Sequence, residues 1–241
     1  MNDYKDMIFY NKSSVSSLNK LICRKIKSIM DINNFAAFNG CYIMKREDLK
    51  RCADTLADGF YGYGLFEHVC NGKYDHYKMS LSWEVSIALV ADNAICIADS
   101  KDINSVLIYV PPKSKEPNVL SYIKAGGLKM LLKLGLRIVI RLMRFEVEAQ
   151  KVAQRYKTDN DGYLKAFATR LDKQGQHYGK PLIEALLRYL DASGEGCYLE
   201  TFKAGNVDLY KHFQFDLKEE ANLKLGGLTM YAMRRPGNKL S

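Results

Sequence analysis

The sequence predicts an α/β (α+β) fold, in which a sheet carries helices on both faces. Helix-periodic segments alternate with short β-branched runs in mixed order. Two pairs of such runs read as hairpins. Between residues 162 and 202, a strand, a glycine-containing loop, a helix and a second strand follow one another, and this unit carries most of the functional signal. A chain of 241 residues with 47% hydrophobic and 26% charged residues can bury a substantial core and does not read as disordered.

The elements follow in order. Residues 1–36 are serine-rich and polar, then modestly helix-periodic (LICRKIKSIM), and read as a partly helical extension to a single domain over 37–241. CYIM is a short strand, and REDLKRCADTLADGF is a helix with Leu49, Cys52, Ala53 and Leu56 on one face. The aromatic segment FYGYGLFEHVCNGKYDHYK is loop or short helix, and MSLSWEVSIALV is a helix. NAICIADS and NSVLIYVPP form a hairpin whose second strand stops at Pro111-Pro112. A helical insertion over about 117–156 is broken at Gly126-Gly127 and at Gly135. GYLKAFAT is a strand, QGQHYGK opens the helix PLIEALLRYL, CYLETF is a strand and NVDLYKHF a short helix. FDLKEEANL and LTMYAMRR close the chain as a hairpin through Leu225-Gly226-Gly227.

The six cysteines have no CxxC or CxxH spacing, and His68, His76 and His212 have no ligand spacing. Neither zinc, any other metal nor a disulfide frame is therefore expected, and reduced thiols suit a cytoplasmic setting. The net charge of +9 permits an anionic partner without choosing one, and no nucleic-acid recognition signature accompanies it. Much of the excess lies in Lys124, Lys129, Lys133, Arg137, Arg141 and Arg144. These charges recur too often for a membrane span, which needs about 20 nearly uncharged residues. They read as the solvated face of helices that bury their leucines, with a basic membrane-surface helix as the alternative.

The QGQHYGK loop places free backbone amides at a helix N-terminus, where the dipole favours an anion by about 0.3–2 kcal/mol. Taken with the later AGNVDLYKHFQFD, the segment from about Gly162 to Arg235 resembles the GNAT superfamily of N-acetyltransferases, whose motifs are Q/RxxGxG/A and NxxLYxxxGF. Gln174 and Gly179 match the first motif; Asn206, Leu209, Tyr210 and Phe215 match the second. YVPP followed by a helical insertion and the YLKAFA strand resembles the branch containing puromycin N-acetyltransferase. The resemblance implies a mixed, mostly antiparallel sheet of about seven strands that binds acetyl-coenzyme A. His177 and Gln214 depart from it, each standing where the motif has glycine. A left-handed backbone at His177 would cost roughly 1–2 kcal/mol. The loop therefore reads as adapted, its imidazole either meeting phosphate or facing solvent.

The resemblance assigns the coenzyme to Gln174, Gly175, Gln176, His177, Tyr178, Gly179 and Lys180, with Arg170 able to add charge. Backbone groups of Phe167, Ala168 and Thr169 would pair with the pantetheine arm, and Asn206 is a further contact or a helix N-cap. Tyr210 is the expected general acid for the departing thiolate, with a core tyrosine as the plain alternative. Glu200 is a candidate base or an exposed strand residue. Tyr61, Tyr63, Phe66 and Glu67 line an acceptor pocket or belong to the core, and Cys197 is expected to be buried rather than nucleophilic. The expected activity is transfer of an acetyl group from acetyl-coenzyme A to an amine, a small molecule in the first instance, by direct attack in a ternary complex. A non-catalytic acyl-coenzyme A binding or sensing domain is the second reading.

Overall fold

The computed structural model describes residues 36–224 and 226–238; all but the last residue of the expected extension over 1–36, and the turn residue Leu225, lie outside the described residues. Seven strands form one sheet: β1 (Tyr42–Ile43), β2 (Ile95–Ala98), β3 (Ser105–Val110), β4 (Asp161–Thr169), β5 (Gly196–Thr201), β6 (Asp216–Asn222) and β7 (Thr229–Arg235). Their order is β1-β2-β3-β4-β5-β7-β6. Every pair is antiparallel except β4 with β5. A parallel pair cannot close through a tight turn, so the chain crosses over through a helix between these two strands. Both expected hairpins, β2–β3 and β6–β7, are present.

The helices are α1 (Leu49–Gly59), α2 (Gly64–Val69), α3 (His76–Val90), α4 (Val119–Lys124), α5 (Gly127–Leu134), α6 (Leu136–Tyr156), α7 (Lys180–Ser193) and α8 (Gly205–His212). The two glycine breaks between 117 and 156 fall where α4 gives way to α5 and α5 to α6; Gly126 and Gly135 have φ of 95° and 82°, a region that suits glycine. On one face of the sheet, Cys52, Ala53, Leu56 and Ile87 of α1 and α3 pack on Val106, Ile108, Ala166 and Ala168. The other face packs Leu182, Ile183 and Leu186 of α7 and Val207 and Tyr210 of α8 on Ile97, Leu107, Leu199 and Met233. Each fully buried aliphatic side chain contributes about 1.5–3 kcal/mol. Helix α6 lays Ala149 and Val152 over Tyr198, Met230 and Ala232.

The junction of β4 with β5 is clamped at one end and open at the other. Their ladder comprises Asp161↔Gly196, Gly162↔Cys197 and Tyr163↔Tyr198. At this closed end the buried Asp161 carboxylate accepts from Arg234 Nε at 2.7 Å and Nη2 at 3.1 Å. Gly196 is required there, because a Cβ would lie 1.9 Å from Asp161 Oδ1. Beyond Tyr163 a bulge makes Lys165 the extra residue of β4 against β3, between the pairs Ile108↔Ala166 and Tyr109↔Leu164. A bulge bends its strand, and it falls where β4 leaves β5. The edge of β4 that faces β5 is therefore unpaired from Leu164 to Thr169, and the two strands form a wedge.

Candidate active site

The loop that follows β4 returns the chain to α7 across the wide end of this wedge. The amides of Gly175, His177, Tyr178 and Gly179 donate to no acceptor among the described residues. Gly179 is the N-cap of α7 and Pro181, in its first turn, has no amide to leave unpaired. Four free donors therefore gather at the positive end of a 14-residue helix. The loop is solvent-exposed at Gly175, Gln176 and His177, so no protein group shields them from an incoming anion. Gly179 also meets β4 closely: a Cβ there would lie 2.9 Å from the Phe167 ring.

His177 has φ of 64°, so the strained of the two backbones considered from the sequence is the one adopted. Gln214, the second departure, has φ of 65°. Both motif positions thus keep a glycine-type backbone with a larger residue in it. Gln174 acts differently from a ligand-facing side chain: its amide donates to Thr169 O at 3.1 Å and Gly59 O at 3.4 Å, which braces the loop against β4 and α1. Gln176 likewise donates to Asp172 O at 2.8 Å. The side-chain amides of these two residues are therefore engaged within the protein and shape the loop. Lys180 pairs with Glu184 at 3.8 Å and Arg170 with Asp172 at 3.6 Å, exposed pairs that hold neither cation firmly.

Tyr210 is buried on α8, with its ring edge-on to Phe215 at 5.7 Å. Its hydroxyl has no hydrogen-bond partner among the described residues. Burial, then the neighbouring Tyr63 and Cys197, push its pKa upward, so it holds its proton at neutral pH. Tyr63, from the turn between α1 and α2, reaches the carboxyl end of β5. Its hydroxyl accepts from the Phe202 amide at 2.6 Å and shares a hydrogen bond with Thr201 Oγ1 at 2.8 Å. Asn206 Nδ2 donates to the same Thr201 Oγ1 at 2.9 Å. The N-cap of α8 is Ala204, so the capping role expected for Asn206 is corrected: it lies one residue inside the helix and ties α8 to β5.

Glu200 occupies the opposite face of β5. Side chains alternate along a strand, so Cys197 and Leu199 face α7 and α8 while Tyr198 and Glu200 face α6. Burial pushes the Glu200 pKa up to about 7; the Tyr163 hydroxyl offsets part of this, Glu146 of α6 adds to it, and Lys165 and the Tyr198 hydroxyl oppose it. Tyr163 and Tyr198 are cross-strand partners in the last rung of the closed ladder. Neither was singled out from the sequence, although the two-residue spacing of Tyr198 and Glu200 was the available signal. A carboxyl that titrates near neutrality beside two phenols can accept a proton at physiological pH.

Of the expected acceptor residues, Tyr63 and Phe66 meet, with ring centroids 5.9 Å apart. Phe66 is buried in the core, with ring centroids 5.3 Å from Phe60 and 5.8 Å from Trp83. Of its two expected places, pocket or core, it takes the core: an apolar ring between two aromatics gains more from packing than from exposure. Tyr61 is exposed and edge-on to Tyr74 at 5.4 Å. Glu67 is half-buried on α2 without a side-chain hydrogen bond among the described residues. Of the four, Tyr63 alone makes a hydrogen bond to β5. Cys197 is buried, and burial raises its thiol pKa, which makes it inert as a nucleophile. Among the described residues no group of three or more His, Cys, Asp or Glu could hold a metal ion, and no helix is long and apolar enough to cross a membrane.

A seven-stranded sheet with one parallel rung pair opening into a wedge, a loop of free amides at one end and helices on both faces is the fold of the GNAT acetyltransferases. An acetyltransferase from Corynebacterium glutamicum, described as histone acetyltransferase HPA2 and related acetyltransferase, superposes with a TM-score of 0.57 at 16% identity, over 83% of this chain and 97% of that one. Arylalkylamine N-acetyltransferase 2 from Aedes aegypti superposes with a TM-score of 0.53 at 12% identity, over 81% and 97%. In sequence, the chain is 21% identical over 178 residues to an uncharacterized N-acetyltransferase of Schizosaccharomyces pombe, covering 71% of this chain and 72% of that protein. No family model matches the chain.

Proposed function

We propose that this protein transfers an acetyl group from acetyl-coenzyme A to the amine of a small molecule by direct attack in a ternary complex. The observation that carries the reading is the coincidence of the β4–β5 wedge with four free amides at the tip of α7. The wedge offers an unpaired strand edge suited to the amide-containing pantetheine arm, and the amides suit a diphosphate. The likeness in fold to acetyltransferases, and the sequence likeness to an N-acetyltransferase, support the same chemistry. Pro111-Pro112 followed by α4 to α6 supports a position near the branch that contains puromycin N-acetyltransferase.

Acetyl-coenzyme A supplies an activated thioester. In the reading proposed here, backbone groups of Phe167, Ala168 and Thr169 orient it, and the amides of Gly175, His177, Tyr178 and Gly179 hold its diphosphate. Glu200 takes a proton from the acceptor ammonium, which frees the nitrogen lone pair for attack. The Tyr210 hydroxyl donates its proton to the departing sulfur and is reprotonated from solvent. Base and acid stand on opposite faces of β5, so acceptor and leaving group need not compete for one space. The structural roles found for Gln174, Gln176 and Asn206 hold the wedge and loop in shape.

Thermal unfolding with and without acetyl-coenzyme A tests the binding half. At about a hundred times its dissociation constant the ligand adds about 2.7 kcal/mol, or roughly 5–11 °C for a domain of this size. No shift refutes the reading. Thiol release with a panel of primary amines tests the catalytic half, and a shift without release from any amine would assign the chain to acyl-coenzyme A binding alone.

A further inference from the structure

Most leucines of the basic helical segment are not buried as the sequence suggested. Among the described residues, ten of the fourteen exposed large hydrophobic side chains lie between Val119 and Val147. Leu128 is 61% exposed, Leu132 77% and Leu136 63%, while their neighbours Leu134 and Ile138 enter the core. On α6 the apolar stripe continues through Ile140, Met143 and Val147, spaced so that each falls one turn beyond the last. A shallow groove runs along it, lined by Ile140, Met143 and Val147 together with three cations, Arg144, Lys151 and Lys224, and one carboxylate, Glu148, which accepts from the Lys224 amide. Single exposed leucines are ordinary, but a continuous apolar face marks an interaction site.

The charges around this face select its partner. From Pro117 to Phe145 the chain has six lysines and arginines and no aspartate or glutamate. Lys129, Lys133, Arg137 and Arg144 are exposed and make no ion pair among the described residues. A second copy of the chain would bring like charge against like. The amino-terminal segment is itself net basic, with Lys5, Lys12, Lys20, Arg24, Lys25 and Lys27 against Asp3, Asp6 and Asp31, so it too would bring like charge against like. An anionic surface with an apolar interior satisfies both features, since leucines enter the acyl boundary while lysines and arginines stay among the headgroups.

We propose that the α5–α6 face docks the protein on an anionic lipid surface, lying in its plane without crossing it. This inference stands apart from the catalytic assignment. The test is co-sedimentation of the full-length protein with vesicles of phosphatidylcholine alone and of phosphatidylcholine mixed with phosphatidylserine. Binding to the mixed vesicles alone, weakened by added salt, is expected. Each removed cation should weaken binding about five-fold, so the triple variant Lys129→Gln, Lys133→Gln, Arg137→Gln should lose on the order of a hundred-fold. The variant Leu128→Ser, Leu132→Ser, Leu136→Ser should also bind weakly. All six side chains are exposed, so both variants should keep the parent melting temperature. Absence of binding, equal binding to phosphatidylcholine alone, or binding unchanged in both variants would each overturn the proposal. So would a wild-type dimer that the serine variant converts to monomer, because a second copy would then cover the face.

Discussion

Glu200→Gln should stabilise the protein and disable it at once, and the two effects should share one pH dependence. Burial carries the Glu200 pKa from an ordinary 4.5 to about 7. The folded protein therefore holds this proton more tightly than the unfolded chain. Stability is largest below pH 4.5 and falls as the pH rises through about 7. Above that window the ionised carboxyl costs about 3 kcal/mol, an upper bound because the residue keeps some contact with solvent. Glutamine removes this cost. At pH 8 the variant should melt up to roughly 6–12 °C above wild type, and the gap should shrink steadily toward pH 4.5. Thiol release should fall by about 10²–10⁴ in the variant, which should also lose the kcat limb near pH 7 that a general base imposes. Scanning calorimetry at several pH values and steady-state rates read the two effects separately. A melting difference that does not vary with pH would refute the burial argument, and full turnover in the variant would refute the base.

Three further outcomes test the remaining parts. Tyr210→Phe should lower kcat by about 10²–10⁴ while leaving the acetyl-coenzyme A dissociation constant, read by calorimetry, nearly unchanged. Gly179→Ala puts a methyl 2.9 Å from the Phe167 ring, and the resulting overpacking of about 1–3 kcal/mol should displace the loop and weaken coenzyme binding. Gly205→Ala, whose Cβ meets nothing within 4 Å, is the matched control and should bind the coenzyme normally. His177→Gly relieves a left-handed backbone worth about 1–2 kcal/mol, partly offset by a freer unfolded chain. It should melt slightly higher and bind coenzyme undiminished, whereas lost affinity would give the imidazole a direct role.

What could be read in the sequence was local. The β-branched runs ICIA and SVLIYV mark buried strands, and the alternation in GYLKAFAT marks another because side-chain parity in a strand is a property of the backbone itself. Gly126 and Gly135 mark helix breaks because their φ values suit glycine best. The loop before α7 was legible for a similar reason, since its donors are left free by the geometry of a helix start. Side-chain destinations set by distant partners were not legible. Asn206 looked like a cap until Thr201 claimed its amide, and Gln174 looked free until Thr169 and Gly59 claimed its own. Phe66 and Tyr63 sit three residues apart on one turn and both rings join one aromatic cluster, yet only Tyr63 also reaches β5 through its hydroxyl, a link set by partners far off in the sequence. Helical periodicity in 128–147 identified an amphipathic surface but could not say that its apolar stripe has too little protein beneath it.

The bulge at Lys165 connects these observations. It lies two residues after the last rung between β4 and β5, and therefore bends β4 where the wedge begins. Tyr163 and Tyr198, in that last rung, border Glu200, so the candidate base sits just past the point where the strands part. The Asp161–Arg234 clamp holds the closed end two residues earlier. A carboxyl placed one rung deeper would lie against the closed ladder with no acceptor space. One placed at the next residue would point to the other face of β5, where Thr201 is buried and bound to Tyr63 and Asn206, away from the Tyr163 and Tyr198 phenols. Position along β5 thus fixes both the ionisation of Glu200 and its access to the opening, which is why a stability measurement and a rate measurement should report the same group.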